Sequence, residues 1–509
     1  MAWNVLASWG GYLAVAVTGF IMPRLTDGHL GQEALGVWDL GWSVVSYFGL
    51  AQLGVGGSVN RYVAKYRGAH DVEGLRRLAS SATCINVGSG LLALLATAVV
   101  IVLAPWLIGD RLGEQIEMAR WVIALLGATV AVEMSFAVFP GVIAGCHRWD
   151  LHNAMNVGFE VSTAAAMVVT LYAGGGLRAL ALVALCGELA TEMARIVVAY
   201  RVCPELRVGL RYVSLAEGKD VLMFGTKYSL GGLSNLLLVQ ANNLIIASYL
   251  GPAALAAFAR PMSLLRIVEA FTNRFAFVLT PMASSLQGGG RRAEVPALLV
   301  QSARFGVALA MPMLLGLAIL GQPVLLVWMG PRYAVGGVIA VLALSYVLQL
   351  AQRPAVSILI GLNLHGPLAV ASLVTAVLGG GLGVLNAWVL HWGLIGAALA
   401  IAIPVLLVGI FIGYYVCRRI DISPTRYVRE VFLRPVACVV PFALVLGAAR
   451  VWLGHRPALA VAVGCVGGAL VIGPLYWVYL LPISMRERAL RVAGQVFGSI
   501  GLFRSKVNA

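Results

Sequence analysis

Fourteen stretches of the chain are apolar on nearly every face and each is long enough, at about twenty residues, to cross a bilayer as a helix. They lie near residues 4–23, 35–57, 79–104, 120–145, 154–174, 178–200, 221–249, 253–285, 298–321, 333–352, 366–390, 393–416, 435–453 and 457–481. A helix without a polar face has no side to turn to water, so the pattern predicts burial in lipid. The polar connections are too short to hold a soluble domain. The expectation is an all-α polytopic membrane protein with fourteen transmembrane helices. The first stretch begins at Trp3 with no basic lead and no small-residue cleavage site, which reads as a retained span and not a removed signal.

The eighth stretch breaks this pattern with Arg260, Arg266, Glu269 and Arg274. An arginine near the bilayer centre costs roughly 2.5 to 3.5 kcal/mol, so three left unanswered would cost about 8 to 10 kcal/mol. On a helix the three guanidiniums share an arc of about 120° and spread along about 21 Å, with Glu269 just outside the arc. Such a face fits a wet, anion-attracting interior. Local pairing of Arg266 with Glu269 is the plainer alternative.

Composition agrees with the pattern: 60% of residues are hydrophobic and 11% charged, with a mean hydropathy of +0.90. A net charge of +15 would suggest nucleic acid in a soluble protein, but here the position of the charges decides the matter. Twenty-three Lys and Arg follow even-numbered spans or lie in the tail, against seven in the opposite loops. The positive-inside rule then places both termini in the cytoplasm, with no role for nucleic acid. Seven scattered cysteines form no CxxC, and His147 and His152 in HRWDLH read as loop residues without a third ligand. The sequence therefore offers no metal or cofactor site.

The chain also repeats. LGQEALGVWDL at 30–40 aligns without a gap on LGPAALAAFAR at 250–260, and the basic loop after span two has a counterpart, with Arg291 and Arg292, at nearly the same offset after span eight. Spans one to six and seven to twelve read as two copies of one unit, related by an axis along the membrane normal because each copy holds an even number of spans. The expected division is 1–212, an N-terminal lobe; 213–420, a C-terminal lobe; 421–483, two extra spans; and 484–509, an amphipathic tail on the anionic cytoplasmic leaflet, whose lipids are expected partners.

Two six-span lobes plus two spans, the LGxxALGxW approach to span two and the run RYVAKYRGAHDVEGLRRL after it resemble the polysaccharide transporter branch of the multidrug/oligosaccharidyl-lipid/polysaccharide exporter superfamily. These are the Wzx-type oligosaccharide flippases, with the lipid II flippases as structural cousins. The resemblance spans essentially the whole chain. It implies a pair of lobes in the inner membrane around a cavity that opens alternately to either side. The implied cargo is an undecaprenyl-pyrophosphate-linked oligosaccharide, and the other machinery of surface polysaccharide assembly supplies the implied partners.

Guanidiniums suit such a cargo, because they replace the water lost by a pyrophosphate and bind it bidentately. The candidate cavity cations are Arg260, Arg266 and Arg274, with Lys227 of span seven and, from the family's pattern, Arg24 and Arg61. Asp39 falls one step from Arg260 in the repeat alignment, so the two are expected to meet, as a gate or as a static ion pair. The first copy is acidic instead: Glu133, Glu160, Glu188 and Glu192 are candidates for proton coupling, and a structural network with Arg195 and Arg178 is the alternative. No catalytic nucleophile, metal or phosphate-loop motif supports an enzyme. The competing readings are a multidrug or cation-coupled exporter of the same superfamily, which would need an acid-lined cavity, and a membrane polysaccharide polymerase or glycosyltransferase, which would need a large outer loop.

Overall fold

In the computed structural model, which describes residues 2–52, 55–483 and 485–487, the described residues of the fourteen apolar stretches fall mainly on helices, and no strand occurs among the described residues. Nine helices among the described residues are long and apolar enough to cross a membrane. Others fall short because they carry charge: Leu177–Val202 holds Glu188, Glu192 and Arg195, and Pro252–Phe277 holds Arg260, Arg266, Glu269 and Arg274. The amphipathic tail expected from residue 484 onward lies, apart from 485–487, outside the described residues.

Several of the apolar stretches are not single helices. Ile116–Phe136 is followed by Val138–Gly145, Pro252–Phe277 by Leu279–Gly288, and Gly336–Ala351 by Arg353–Gly361. Each break precedes a proline, at Pro140, Pro281 and Pro354. A proline removes the amide that would bond the carbonyl four residues back and crowds that turn, so the first segment ends at or next to that carbonyl. Neighbouring helices can answer the freed groups inside a membrane, which is why the stretch continues as a second helix. Thr280 Oγ1, for instance, donates to the Ser357 carbonyl at 3.1 Å.

The repeat is written in the backbone as well. Ala2–Ser46 is helical on both sides of Gly31, whose φ of 87° and ψ of 169° interrupt it. Gly251, 220 residues on, has φ 88° and ψ 172° between Leu215–Leu250 and Pro252–Phe277. Only glycine enters that region without strain. The left-handed residues His70 and Gly290 stand at the same offset. A close approach recurs too. A Cβ added at Gly145 would lie 2.9 Å from the Asn60 carbonyl oxygen and 2.8 Å from Val63, and one at Gly361 would lie 2.4 Å from that of Thr280 and 2.9 Å from Ala283.

Packing divides the chain into two compact units, Met1–Ser263 with Pro367–Pro404, and Leu264–Gly366 with Val405–Ala509. In the first, the helix turn after Gly31 lies directly on the start of Pro252–Phe277: Gln32 Nε2 donates to the Ala253 carbonyl at 3.0 Å. Leu35, Leu40, Leu255 and Phe258 are buried. In the second, Leu433–Leu453 and Pro457–Leu475 pack on Val295–Trp328 through Leu320, Val439, Phe442 and Leu446, and Arg450 caps the Ile319 carbonyl at 2.9 Å.

A Cβ added at Gly36 would lie 1.9 Å from the Pro252 carbonyl oxygen, a backbone atom that cannot swing aside. Gly36→Ala is therefore expected to destabilise by about 1 to 3 kcal/mol, as overpacking does. Gly447→Ala, where nothing lies within 4 Å, serves as the control. Thermal unfolding of the purified protein reads both, and equal midpoints would refute the close approach.

Candidate functional site

Arg260 sits two turns into Pro252–Phe277, one residue before Pro261, and after Pro252 only Ala, Leu and Phe precede it in the helix. Its side chain is 3% exposed, and NH2 donates to Asp39 Oδ2 at 2.5 Å. The close contact of Gly36 with Pro252 sets the two helices near enough for this pair, with Asp39 one turn beyond Gly36. The Arg260 Nε is buried and makes no hydrogen bond among the described residues. A guanidinium so placed has one arm answered by a carboxylate and one donor without an acceptor.

Further along the same helix, Glu269 reaches Arg353 rather than Arg266. Arg353 NH2 donates to Glu269 Oε1 at 2.5 Å, both groups about one-fifth exposed. Arg353 opens the helix that follows the break at Gln352, so the break aims it. Arg266 is exposed and forms no ion pair with a described residue. Its charge, with those of Glu269 and Arg353, acts on the buried Tyr346. Arg274 is half-buried in the helix's last turn.

The acidic residues of the first copy form a second site. Arg195 lies between Glu192, which it contacts closely, and Glu188, at 3.9 Å. Its NH2 donates to Asn156 Oδ1 at 2.8 Å, and Asn156 in turn stands 3.3 Å from His152. Beside them opens a cavity of about 290 Å³ lined by Asn60, Glu133, His152, Glu192 and Arg195 among others. Glu188 Oε1 and Glu192 Oε2 are buried without a hydrogen-bond partner. Three carboxylates thus face one guanidinium, and in low dielectric such an excess is met by a proton or a cation. Among the described residues no group of His, Cys, Asp and Glu has the makings of a metal site.

The remaining candidates stand apart. Glu160 is exposed on the helix that carries Asn156, and Arg24 and Arg61 are exposed with partners of their own. The Lys227 side chain lies outside the described residues. Sequence reasoning missed Arg353 as the partner of Glu269, because it stands in a loop count while its neighbour is 84 residues away. It also placed His152 in a loop, whereas His152 belongs to the helix Trp149–Tyr172 and lines the acidic cavity.

Residues 75–336 match the sequence profile of a family described as "Polysaccharide biosynthesis protein". No curated protein matches the chain. Among solved structures it is similar to an inward-facing multidrug resistance MATE family transporter of the MOP superfamily, at 17% identity and a TM-score of 0.68, over 80% of this chain and 94% of that one. It is similar to the lipid II flippase MurJ in an inward closed conformation, at 10% identity and a TM-score of 0.67, over 94% and 99%. A MOP superfamily transporter from Pyrococcus furiosus, described by the reverse polarity of its binding pocket, matches at 16% identity and a TM-score of 0.59, over 82% and 94%. Identities this low establish the fold: this is a multi-pass membrane protein built like those transporters.

Removing one partner of a buried ion pair strands the other charge, at a cost of about 3 to 5 kcal/mol. Asp39→Asn is expected to destabilise by that order, and Asp39→Asn with Arg260→Gln by much less, since no net charge then remains inside. Unfolding midpoints for wild type, both single variants and the double variant form the cycle. Additive losses would show that the two side chains do not act as a pair.

Proposed function

This chain belongs to the polysaccharide biosynthesis protein family, and from that premise we propose that it is a flippase for a polyprenyl-pyrophosphate-linked oligosaccharide, serving surface polysaccharide assembly. It works by alternating access in the inner membrane, with fourteen spans, two six-helix lobes and both termini cytoplasmic. The observation that carries this reading is the row of guanidiniums on one membrane helix, one of them buried against Asp39 with an unanswered donor and one, Arg266, exposed and without an ion pair. A pyrophosphate crossing hydrocarbon needs such donors at intervals along its path.

In this cycle the phosphates take up the contacts of Arg266, Arg274, Arg24, Arg61 and Lys227, and Arg260 exchanges Asp39 for the cargo as the gate opens. The acidic cluster supplies the driving step. Glu133, Glu188 and Glu192 hold more negative charge than Arg195 balances, so a proton taken up on one side and released on the other couples the gradient to the flip, with Glu160 on the approach. The fold alone would serve a multidrug exporter equally well. A cationic drug, however, would meet the exposed Arg266 as a like charge.

Proteoliposomes loaded with a fluorescent polyprenyl-pyrophosphate oligosaccharide test the path. Arg266→Ala is expected to slow the flip about ten- to hundred-fold, the value of one charge-assisted contact, with membrane insertion unchanged. Full-rate flipping by the inserted variant would refute the cationic path. Transport of an organic cation by wild type, with none of the glycolipid, would favour the exporter.

Coupling is read in the same vesicles. Glu192→Gln is expected to flatten the dependence of rate on an imposed pH gradient, while equilibrium exchange without a gradient persists. An unaltered response would reduce the cluster to a structural network.

A further inference from the structure

Away from both charged sites, a notch of about 420 Å³ opens where Val295–Trp328 begins, beside the short helix Pro424–Val431 and the turn that ends at Leu480. At ~30 Å³ per water it holds the volume of about fourteen waters, room for a headgroup and not for a whole lipid. One wall is apolar, with Val300, Phe305 and Leu480. The other is cationic, with Arg304 and Arg426.

Its electrostatics are unbalanced. Arg304 donates through Nε to the Glu430 carbonyl at 2.8 Å, and its two terminal nitrogens make no hydrogen bond among the described residues. Arg434 stands close enough to repel it. Among the described residues that line the notch the one carboxylate is that of Glu430, which accepts from Arg426 Nε at 2.8 Å. That hydrogen bond, together with the charges of Arg426, Arg304 and Arg429, holds its carboxyl below the usual range. Glu430 thus offsets only one of four guanidiniums. Pro424–Val431 is amphipathic, with Tyr427 and Val431 buried and its arginines outward, and it belongs to the basic side of the membrane, where an anionic leaflet is expected.

We propose that this notch is a binding site for the phosphate headgroup of an anionic phospholipid, held by Arg304 and Arg426, with Val300, Phe305 and Leu480 receiving the start of the acyl chains. Two donors of Arg304 face a site where Glu430 is already engaged, so a phosphate oxygen meets an unanswered guanidinium rather than displacing a bond. The apolar wall excludes a fully hydrated anion and favours an amphiphile. The lipid would then tie Pro424–Val431 to the helices that follow and precede it in this unit. The site stands independently of the translocation reading.

Native mass spectrometry of the full chain, released from nanodiscs holding equal dioleoylphosphatidylglycerol and dioleoylphosphatidylcholine, tests it. The phosphatidylglycerol adduct is expected to exceed the phosphatidylcholine adduct about five-fold, what one arginine is worth against an anionic surface. Arg304→Gln should bring the ratio near one, and so should Arg426→Gln, an exposed change that leaves packing intact if the first variant fails to insert. Arg148→Gln, at an exposed arginine elsewhere on the basic side, should preserve the preference. Equal retention by wild type, a preference surviving both notch variants, or its loss in Arg148→Gln would overturn the proposal. So would release of phosphatidylglycerol by millimolar inorganic phosphate, which marks a bare anion site, or its displacement by decaprenyl phosphate more readily than by phosphatidylglycerol, which marks a site for the isoprenoid carrier.

Discussion

A guanidinium buried among apolar helices has to be answered, and the placement of Asp39 against Arg260 is the answer around which the first unit is arranged. The chain of dependence is short. Gly31 and Gly251 turn their helices with backbone angles that other residues adopt only under strain. The turn brings Gly36 onto the Pro252 carbonyl, a contact that no Cβ would allow. One helical turn later Asp39 stands opposite Arg260. Each glycine here has a reason in the charge pair it makes possible, and the pair has its reason in the cost of a lone charge in low dielectric.

The helices were legible because their signal is long and unambiguous: twenty apolar residues in a row admit few other structures. Their internal breaks were legible in principle too, since Pro140, Pro281 and Pro354 mark them, but membrane helices tolerate proline often enough that the residue alone does not announce a second helix. The adjacency of Asp39 and Arg260 is suggested by the repeat, which sets them one step apart in the alignment of 30–40 on 250–260. The partner of Glu269 does not follow from any local rule. Spacing on a helix favours Arg266, three residues away, yet the carboxylate goes to Arg353, which the proline-driven break at Gln352 turns toward it. Tertiary placement outranks helical spacing whenever a better-oriented donor is at hand. For the same reason His152 and Asn156 could not be read as neighbours of Arg195.

The two copies share their joints and differ in their charges. Gly31 matches Gly251, His70 matches Gly290, and the contact of Gly145 with Asn60 matches that of Gly361 with Thr280. Yet the carboxylates Glu133, Glu160, Glu188 and Glu192 all belong to the first copy, and the guanidiniums Arg260, Arg266 and Arg274 to the second. Backbone joints are set by steric requirements that any copy of the unit must meet. Side-chain charge on an interior face is not so constrained, and the copies were free to diverge there.

That divergence has an electrostatic logic within the proposed cycle. A guanidinium enclosed by several carboxylates is a poor phosphate ligand, because those carboxylates repel the phosphate, as around Arg195, which donates to Glu192 and Asn156 with Glu188 3.9 Å away. Three carboxylates around one guanidinium, by contrast, carry more negative charge than it can hold ionised in low dielectric, so that cluster can take up a proton. One face cannot both carry an anionic cargo and exchange protons efficiently. In the proposed cycle, acids on the helices of one copy and Arg266, which has no ion pair with a described residue, on a helix of the other keep the two tasks apart, while Asp39 with Arg260 joins a carboxylate of one copy to a guanidinium of the other. A pyrophosphate brings more than the single charge of Asp39 and several more acceptors, so it can take over Arg260, including the Nε that Asp39 leaves unanswered. An uncharged lipid offers no such exchange. Under the proposed function, selectivity for a phosphorylated cargo would rest on the cost of stranding Arg260, a cost that an anion arriving at the same moment would offset.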